Sequence, residues 1–294
     1  MRAENAPPRS DIPRERASPV RDTSPENSSA ISEYSSRISK MSEKPLNLSF
    51  IEFNEDVIFS DIKNNVHLYC TKNPINSIFN LTLQYGIGNY EKSELEQVAE
   101  LLNISGTENY SFDTFKGNLQ KIGTTILFDS NKHYFTITVK GFDEKFEESL
   151  KLLSEFIISV KPNENGMKNL IDNAKTVRKF GEKDLRTVGR SLFEYALEQN
   201  KSYYLRRLSV NDIKKLKVSN LMRDFKDAMN YEVDIFYTGQ HDFNFVSSKI
   251  KEILPLSDNL QKSNSPIDYK IPNWDKDIIY LVDDKNAIQS QIYF

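Results

Sequence analysis

The sequence predicts an α+β fold built on a sheet that is at least partly antiparallel, and three observations carry that reading. Residues 48–86 hold three runs in which apolar and polar side chains alternate. Residues 124–141 hold two more, and from Asp143 the apolar period lengthens to that of a helix. In the first group, LSFIEFNEDVIFSDI and NVHLYCTKN are separated by the turn-prone Lys63-Asn64-Asn65, and SIFNLTLQYG follows, so a meander of strands opens the domain. Ser93 with Glu96 forms a capping box for a helix from Glu94 to Asn103, whose Leu95, Val98, Ala99, Leu101 and Leu102 make an apolar stripe. A second helix, Phe112 to Ile122, is stopped by Gly123. TTILFD and HYFTITVKGF then pair about Ser130-Asn131, with Tyr134, Thr136 and Thr138 on one side and Phe135, Ile137 and Val139 on the other.

The later elements are helical until the next strand. EKFEESLKLLSEFIISV places Phe146, Leu150, Leu153 and Phe156 on one stripe, and Pro162 ends it. Helices follow at 166–179 and 182–198, and Ser209 with Asp212 caps another. YEVDIFYTG reads as a strand closed by Gly239, NFVSSKIKEIL as a helix, and residues 256–276, with Pro266 and Pro272, as a polar connector. DIIYLVDDKNAIQSQIYF alternates again up to Phe294 and stops inside what reads as a strand, so the chain is expected to be a fragment.

Composition narrows the function classes. With 294 residues and 38% apolar side chains, the chain can build one large core or two smaller ones. Its 39 basic and 42 acidic residues nearly balance, which leaves no overall field to draw nucleic acid or anionic lipid. No run approaches the roughly 18 apolar residues of a membrane span, and the first thirty residues lack the apolar stretch of an export signal. The single cysteine, Cys70, excludes an intrachain disulfide and a cysteine-rich metal site, and reads as a small apolar filler in a strand. Residues 1–44 hold ten serines, five prolines and one aromatic, Tyr34, and read as a disordered interdomain linker in which ISEYSSRISKMS can form a short helix.

Catalytic constellations are scarce. No two of His67, His133 and His241 stand at metal-ligand spacing, no G-x-S-x-G elbow occurs, and Gly86-x-Gly88 lacks the third glycine of a dinucleotide loop. YYLRRLS sets Arg206 and Arg207 beside Tyr203 and Tyr204, which suits either an anion site or a joint between helices whose arginines are solvated or paired.

The element order, with the strings LQYGIGNYEK, LLNISGTENYSFDTFKGNLQKIG, HYFTITVKGFDEKFEESLKLLSEFI and YYLRRLSVNDIKKL, resembles the insulinase-like (M16) metallopeptidase family. More narrowly, it resembles the non-catalytic second half of long two-halved bacterial members of the Bacteroidetes type. The resemblance covers 45–265, and 266–294 are then a connector and the first strands of a following, truncated module. It implies a LuxS/MPP-like metallohydrolase domain: a mixed, largely antiparallel sheet with helices packed on one face.

Active members of that family carry His-x-x-Glu-His on the first helix, in which two imidazoles bind zinc and the glutamate activates water. Setting the family's Gly-Thr on Gly106-Thr107 places the first histidine on Gln97, the base on Glu100 and the second histidine on Leu101. Only the glutamate remains. The window for a further glutamate ligand, IDNAKTVRKF, holds Asp172 instead. The resemblance therefore implies no cofactor in this chain and zinc in an active half of the same polypeptide, with a peptide as substrate. It places the whole parent in the periplasm or cell envelope. The inactive half would close a chamber in which a peptide adds as a strand to a sheet edge, so 124–129 and 132–141 are inner-wall candidates, with Tyr134, Thr136 and Thr138 as substrate-contacting candidates, set against the commoner role of alternating strand residues as core. The alternative expectation is a catalytically inert interaction or structural module of the same fold.

Overall fold

The computed structural model describes residues 33–41, 50–53, 55–163, 165–263, 275–283, 290 and 292. The chain divides into two units between Phe50 and Ile51. In the first, α1 (Glu33–Ser39) is the short helix expected within the serine-rich stretch. Residues 1–32, which hold most of the expected linker, lie outside the described residues.

In the second unit, β1 (Val57–Lys63) and β2 (Val66–Lys72) form an antiparallel hairpin. Asn65 turns it at φ 57°, a left-handed conformation that asparagine enters more cheaply than most residues. The tip is tied down by Asn65 Nδ2 donating to Leu260 O (2.8 Å) and Lys63 Nζ to Leu256 O (2.7 Å). After β3 (Ile78–Tyr85) come α2 (Leu95–Leu102), the two-residue β4 (Gly106–Thr107), α3 (Phe112–Lys121), β5 (Thr125–Ser130) and β6 (Phe135–Phe142). Then follow α4 (Phe146–Ser159), β7 (Val160–Lys161), α5 (Gly166–Gly181), α6 (Leu185–Glu198), α7 (Tyr203–Arg206), α8 (Val210–Ile213), α9 (Val218–Ala228), β8 (Val233–Gly239) and α10 (Phe243–Ile253). The end of α3 follows the sequence: Gly123 takes φ +64°, and a Cβ there would collide with the Phe142 ring.

The main sheet runs β1-β2-β8-β3-β6-β5, and only the β2–β8 pair is parallel. This corrects the expected opening meander, because β8 lies between β2 and β3. All three strands alternate in the same sense, so alternation alone does not choose neighbours. The link from β2 to β3 instead crosses the end of β8, where Asn73 N donates to Gly239 O (2.8 Å) and Gln240 Nε2 to Asn76 O (2.9 Å). Of the expected terminal strand, residues 278–283 show no strand pairing among the described residues, and Tyr280 sits edge-on to Tyr195 and accepts from Gln199 Nε2 (3.0 Å) on its hydroxyl. Residues 284–289 lie outside the described residues.

One face of the sheet carries the core. Leu68, Phe79, Leu81, Leu83, Phe135, Ile137, Val139 and Ile235 are fully buried against Leu95, Val98 and Leu101 of α2, the expected Phe146-Leu150-Leu153-Phe156 stripe of α4, and Leu221, Phe225, Val246 and Ile250 of α9 and α10. Each such side chain contributes about 1.5–3 kcal/mol by leaving water. Cys70 belongs to this core, and burial pushes its thiol pKa up to about 12, which suits the filler role. The opposite face, read across the strands, shows Phe59, Tyr69, Phe236, Thr82, Thr138 and Leu127 in one row. A second row holds Asp61, His67, Asp234, Gln84, Thr136 and Asp129. The fold is thus α+β, with a mixed, largely antiparallel sheet.

Candidate functional site

Helix α2 carries the positions that resemble a metal site. Its expected capping box does not form. Glu94 is already helical (φ −70°, ψ −18°) with no side-chain cap, and the Ser93 hydroxyl donates to Glu94 Oε2 (3.3 Å). Glu96 is drawn elsewhere, its Oε1 accepting from the Tyr203 hydroxyl of α7 (2.7 Å). Gln97 is buried, and its Oε1 has no hydrogen-bond partner. Leu101 is fully buried with its Cδ1 against Gly166, where a Cβ would have no room. Glu100 faces α5 and accepts from Asn173 Nδ2 (3.2 Å). Burial pushes the Glu100 pKa up, Glu96 adds to this, and the Asn173 bond opposes it. Asp172 in the expected third-ligand window is exposed and pairs with Lys175 (2.9 Å).

These donors do not fit a catalytic zinc ion. One carboxylate, one buried amide and an aliphatic side chain packed into the core supply too few lone pairs of the right kind. Among the described residues no group of three or more His, Cys, Asp or Glu is placed to hold a metal. The histidines stay apart. His67 lies between Asp61 and Glu232, His133 is edge-on to Tyr90, and His241 Nε2 donates to Asp143 O (2.9 Å). The arginine motif resolves into a joint. Arg206 sits over the Tyr90 ring (4.8 Å) and donates to Tyr90 O, while Arg207 stacks on Tyr204 (4.2 Å).

The wall candidates fall on the open face of the sheet. Thr136 and Thr138 are half-buried there, Tyr134 is half-buried just before β6, and Phe135, Ile137 and Val139 fill the core. β5 is the edge strand expected to receive a peptide. Its edge is already occupied at the middle, however. Asn103, at the end of α2, donates from Nδ2 to Phe128 O (2.8 Å) and accepts from Phe128 N at Oδ1 (2.9 Å), so one amide side chain satisfies both outward main-chain groups as a partner strand would. Sequence reading assigned Asn103 only to the helix end. Nothing local signals that its amide reaches a strand twenty-five residues later.

The fold and this site define an α+β domain with a broad open sheet face, a plugged strand edge, and a helix α2 whose Gln97, Glu100 and Leu101 do not assemble a metal site. No family model and no curated protein matches the sequence. Solved structures match its fold. A conserved protein from Enterococcus faecalis V583 aligns at a TM-score of 0.61 and 15% identity, over 73% of this chain and 55% of that one. The peptidase M16 inactive domain from Pseudomonas fluorescens aligns at 0.58 and 13%, over 72% and 54%. The first half of the periplasmic protease PqqL from Escherichia coli aligns at 0.59 and 14%, over 74% and 49%. The chain has the M16 peptidase fold, in the form also found in an inactive domain, and it spans about half the length of these solved structures. Among the described residues no helix is long and apolar enough to cross a membrane.

Proposed function

We propose that this chain is a non-catalytic module of an M16-type zinc peptidase, forming part of the wall of a peptide-binding chamber and supporting cleavage by an active module of the same polypeptide. The observation that carries the reading is the M16 fold combined with Gln97 and Leu101 at the ligand positions, both turned into the core. In this reading zinc resides in the active module, and none is held here. Thr136 and Thr138 face the peptide from the open sheet, with Tyr134 just before β6. Because Asn103 closes the β5 edge at Phe128, the grip on a peptide comes from that face more than from added-strand hydrogen bonds.

The test is hydrolysis of an unstructured peptide by the purified chain, with zinc supplied and then chelated, alongside metal content by plasma mass spectrometry. The expected result is no chelator-sensitive cleavage and no retained zinc. Cleavage that stops with chelator and returns with zinc overturns the assignment. The plugged edge also favours a second reading, an inert interaction module of the same fold. The two part on whether the chain binds unfolded peptides.

A further inference from the structure

The open sheet face is not uniform. Across β1, β2 and β8, Phe59, Tyr69 and Phe236 stack in one row, with ring centroids 4.7 and 4.9 Å apart and interplanar angles of 28° and 15°. Among the described residues Phe59 and Phe236 remain 45% and 38% exposed, a high cost for aromatic side chains. The adjoining row is acidic. His67 Nδ1 lies 2.6 Å from Asp61 Oδ1, and its Nε2 lies 3.1 Å from Glu232 Oε1, so one imidazole serves two carboxylates. Asp234, directly across from His67, makes no hydrogen bond or ion pair among the described residues although it is partly buried. Lys63, on the same strand as Asp61, is engaged by Asp258 (2.6 Å). Three carboxylates thus face one imidazole beside an exposed aromatic row, in a chain whose overall charge is only −3.

We infer that this face binds an extended polypeptide segment rich in lysine and arginine. The aliphatic stems lie along the Phe59-Tyr69-Phe236 row, and the cationic heads reach Asp234 and the outer oxygen of Asp61, while Glu232 Oε2 already accepts from Ser263 N (3.2 Å). Long basic side chains combine an apolar stem with a charged tip, which is the pairing this surface presents in reverse. An acidic or phosphorylated segment would meet like charge, and a purely apolar one would leave Asp234 covered and unpaired. Thr82, Thr136 and Thr138 continue the face toward β5 with short hydroxyl side chains, which leaves room for the segment to run across the strands. The inference rests on the peptide-wall reading and narrows its substrate class.

The test is binding of labelled, unstructured peptides of equal length (lysine- and arginine-rich, uncharged, and glutamate-rich) to the full chain by fluorescence anisotropy at low and high salt. The expected result is at least about tenfold tighter binding of the basic peptide than the uncharged one at low salt, a preference that collapses at high salt. Asp234→Asn and Phe236→Ser should each weaken the basic peptide about three- to tenfold. Thr82→Lys, which sets a cation beside Phe236, should erase the preference, with circular dichroism melts confirming that each variant is folded. Equal binding of basic and uncharged peptides, unchanged in Asp234→Asn, overturns this inference and leaves the wall reading standing. No binding of any peptide overturns both.

Discussion

His67 of β2 stands between Asp61 of β1 and Glu232, which directly precedes β8, and its protonation is tied to the stability of that end of the sheet. Partial burial pulls its pKa down, but the hydrogen bonds to Asp61 and Glu232 and the field of Asp234 outweigh this and raise it above the ordinary 6.5. A histidine raised in the folded state contributes stability that is fully present below the unfolded value and is lost as pH rises through the folded one. The difference in unfolding free energy, from urea titration, between the wild type and His67→Gln is therefore expected to be largest below pH 6.5, at about 1 kcal/mol, and to vanish on going alkaline. A pH-independent difference would show that the bridge is not charged. Asp143 plays a deeper part. It is buried, and its Oδ1 accepts from the Tyr237 hydroxyl (3.0 Å) and Gln240 N (2.9 Å), joining the end of β6 to the end of β8. Asp143→Ala should cost about 2–4 kcal/mol in chemical denaturation and Asp143→Asn markedly less, since the amide oxygen still accepts both bonds. Equal losses would mean that charge, not acceptance, is what matters there.

Among the elements, β5 and α2 depend on one another through a side chain. Asn103 gives the edge strand the partner it lacks, which both steadies β5 and blunts an edge open to pairing with other chains. Asn103→Ala is expected to lower stability by about 1–2 kcal/mol and to leave Phe128 N and O free for another strand. Size-exclusion chromatography with light scattering should then show concentration-dependent association absent from the wild type. A variant that stays monomeric and as stable as the parent would mean that the amide contributes nothing to edge protection. Helix α4 was readable from its period alone, since Phe146, Leu150, Leu153 and Phe156 are all buried. The cap of α2 was not, because Glu96 found Tyr203, more than one hundred residues away, as a better partner than its own helix end.

For the whole molecule, the first-helix positions predict how the fold responds to metal. A ligand at one hundred times its dissociation constant stabilises the native state by about 2.7 kcal/mol, which a thermal melt detects easily. Zinc in excess should leave the melting temperature of this chain unchanged, because Gln97 and Leu101 cannot turn outward without opening the core against Gly166. A rise reversed by chelator would place a metal site among groups that the folded geometry keeps apart.

Much of this protein was legible as sequence because the relevant properties are local. Alternation located the strands, a 3.6-residue period located the helices, and Gly123 marked the end of α3. The tertiary structure alone decided that β8 enters between β2 and β3, that Asn103 closes the edge at Phe128, and that Phe59, Tyr69 and Phe236 stand in one row beside Asp61, His67 and Asp234. Each aromatic could be noticed singly on the polar side of its strand. Their alignment could not, because register between strands far apart in sequence is settled by how the shared core packs, and no short stretch of chain contains that information.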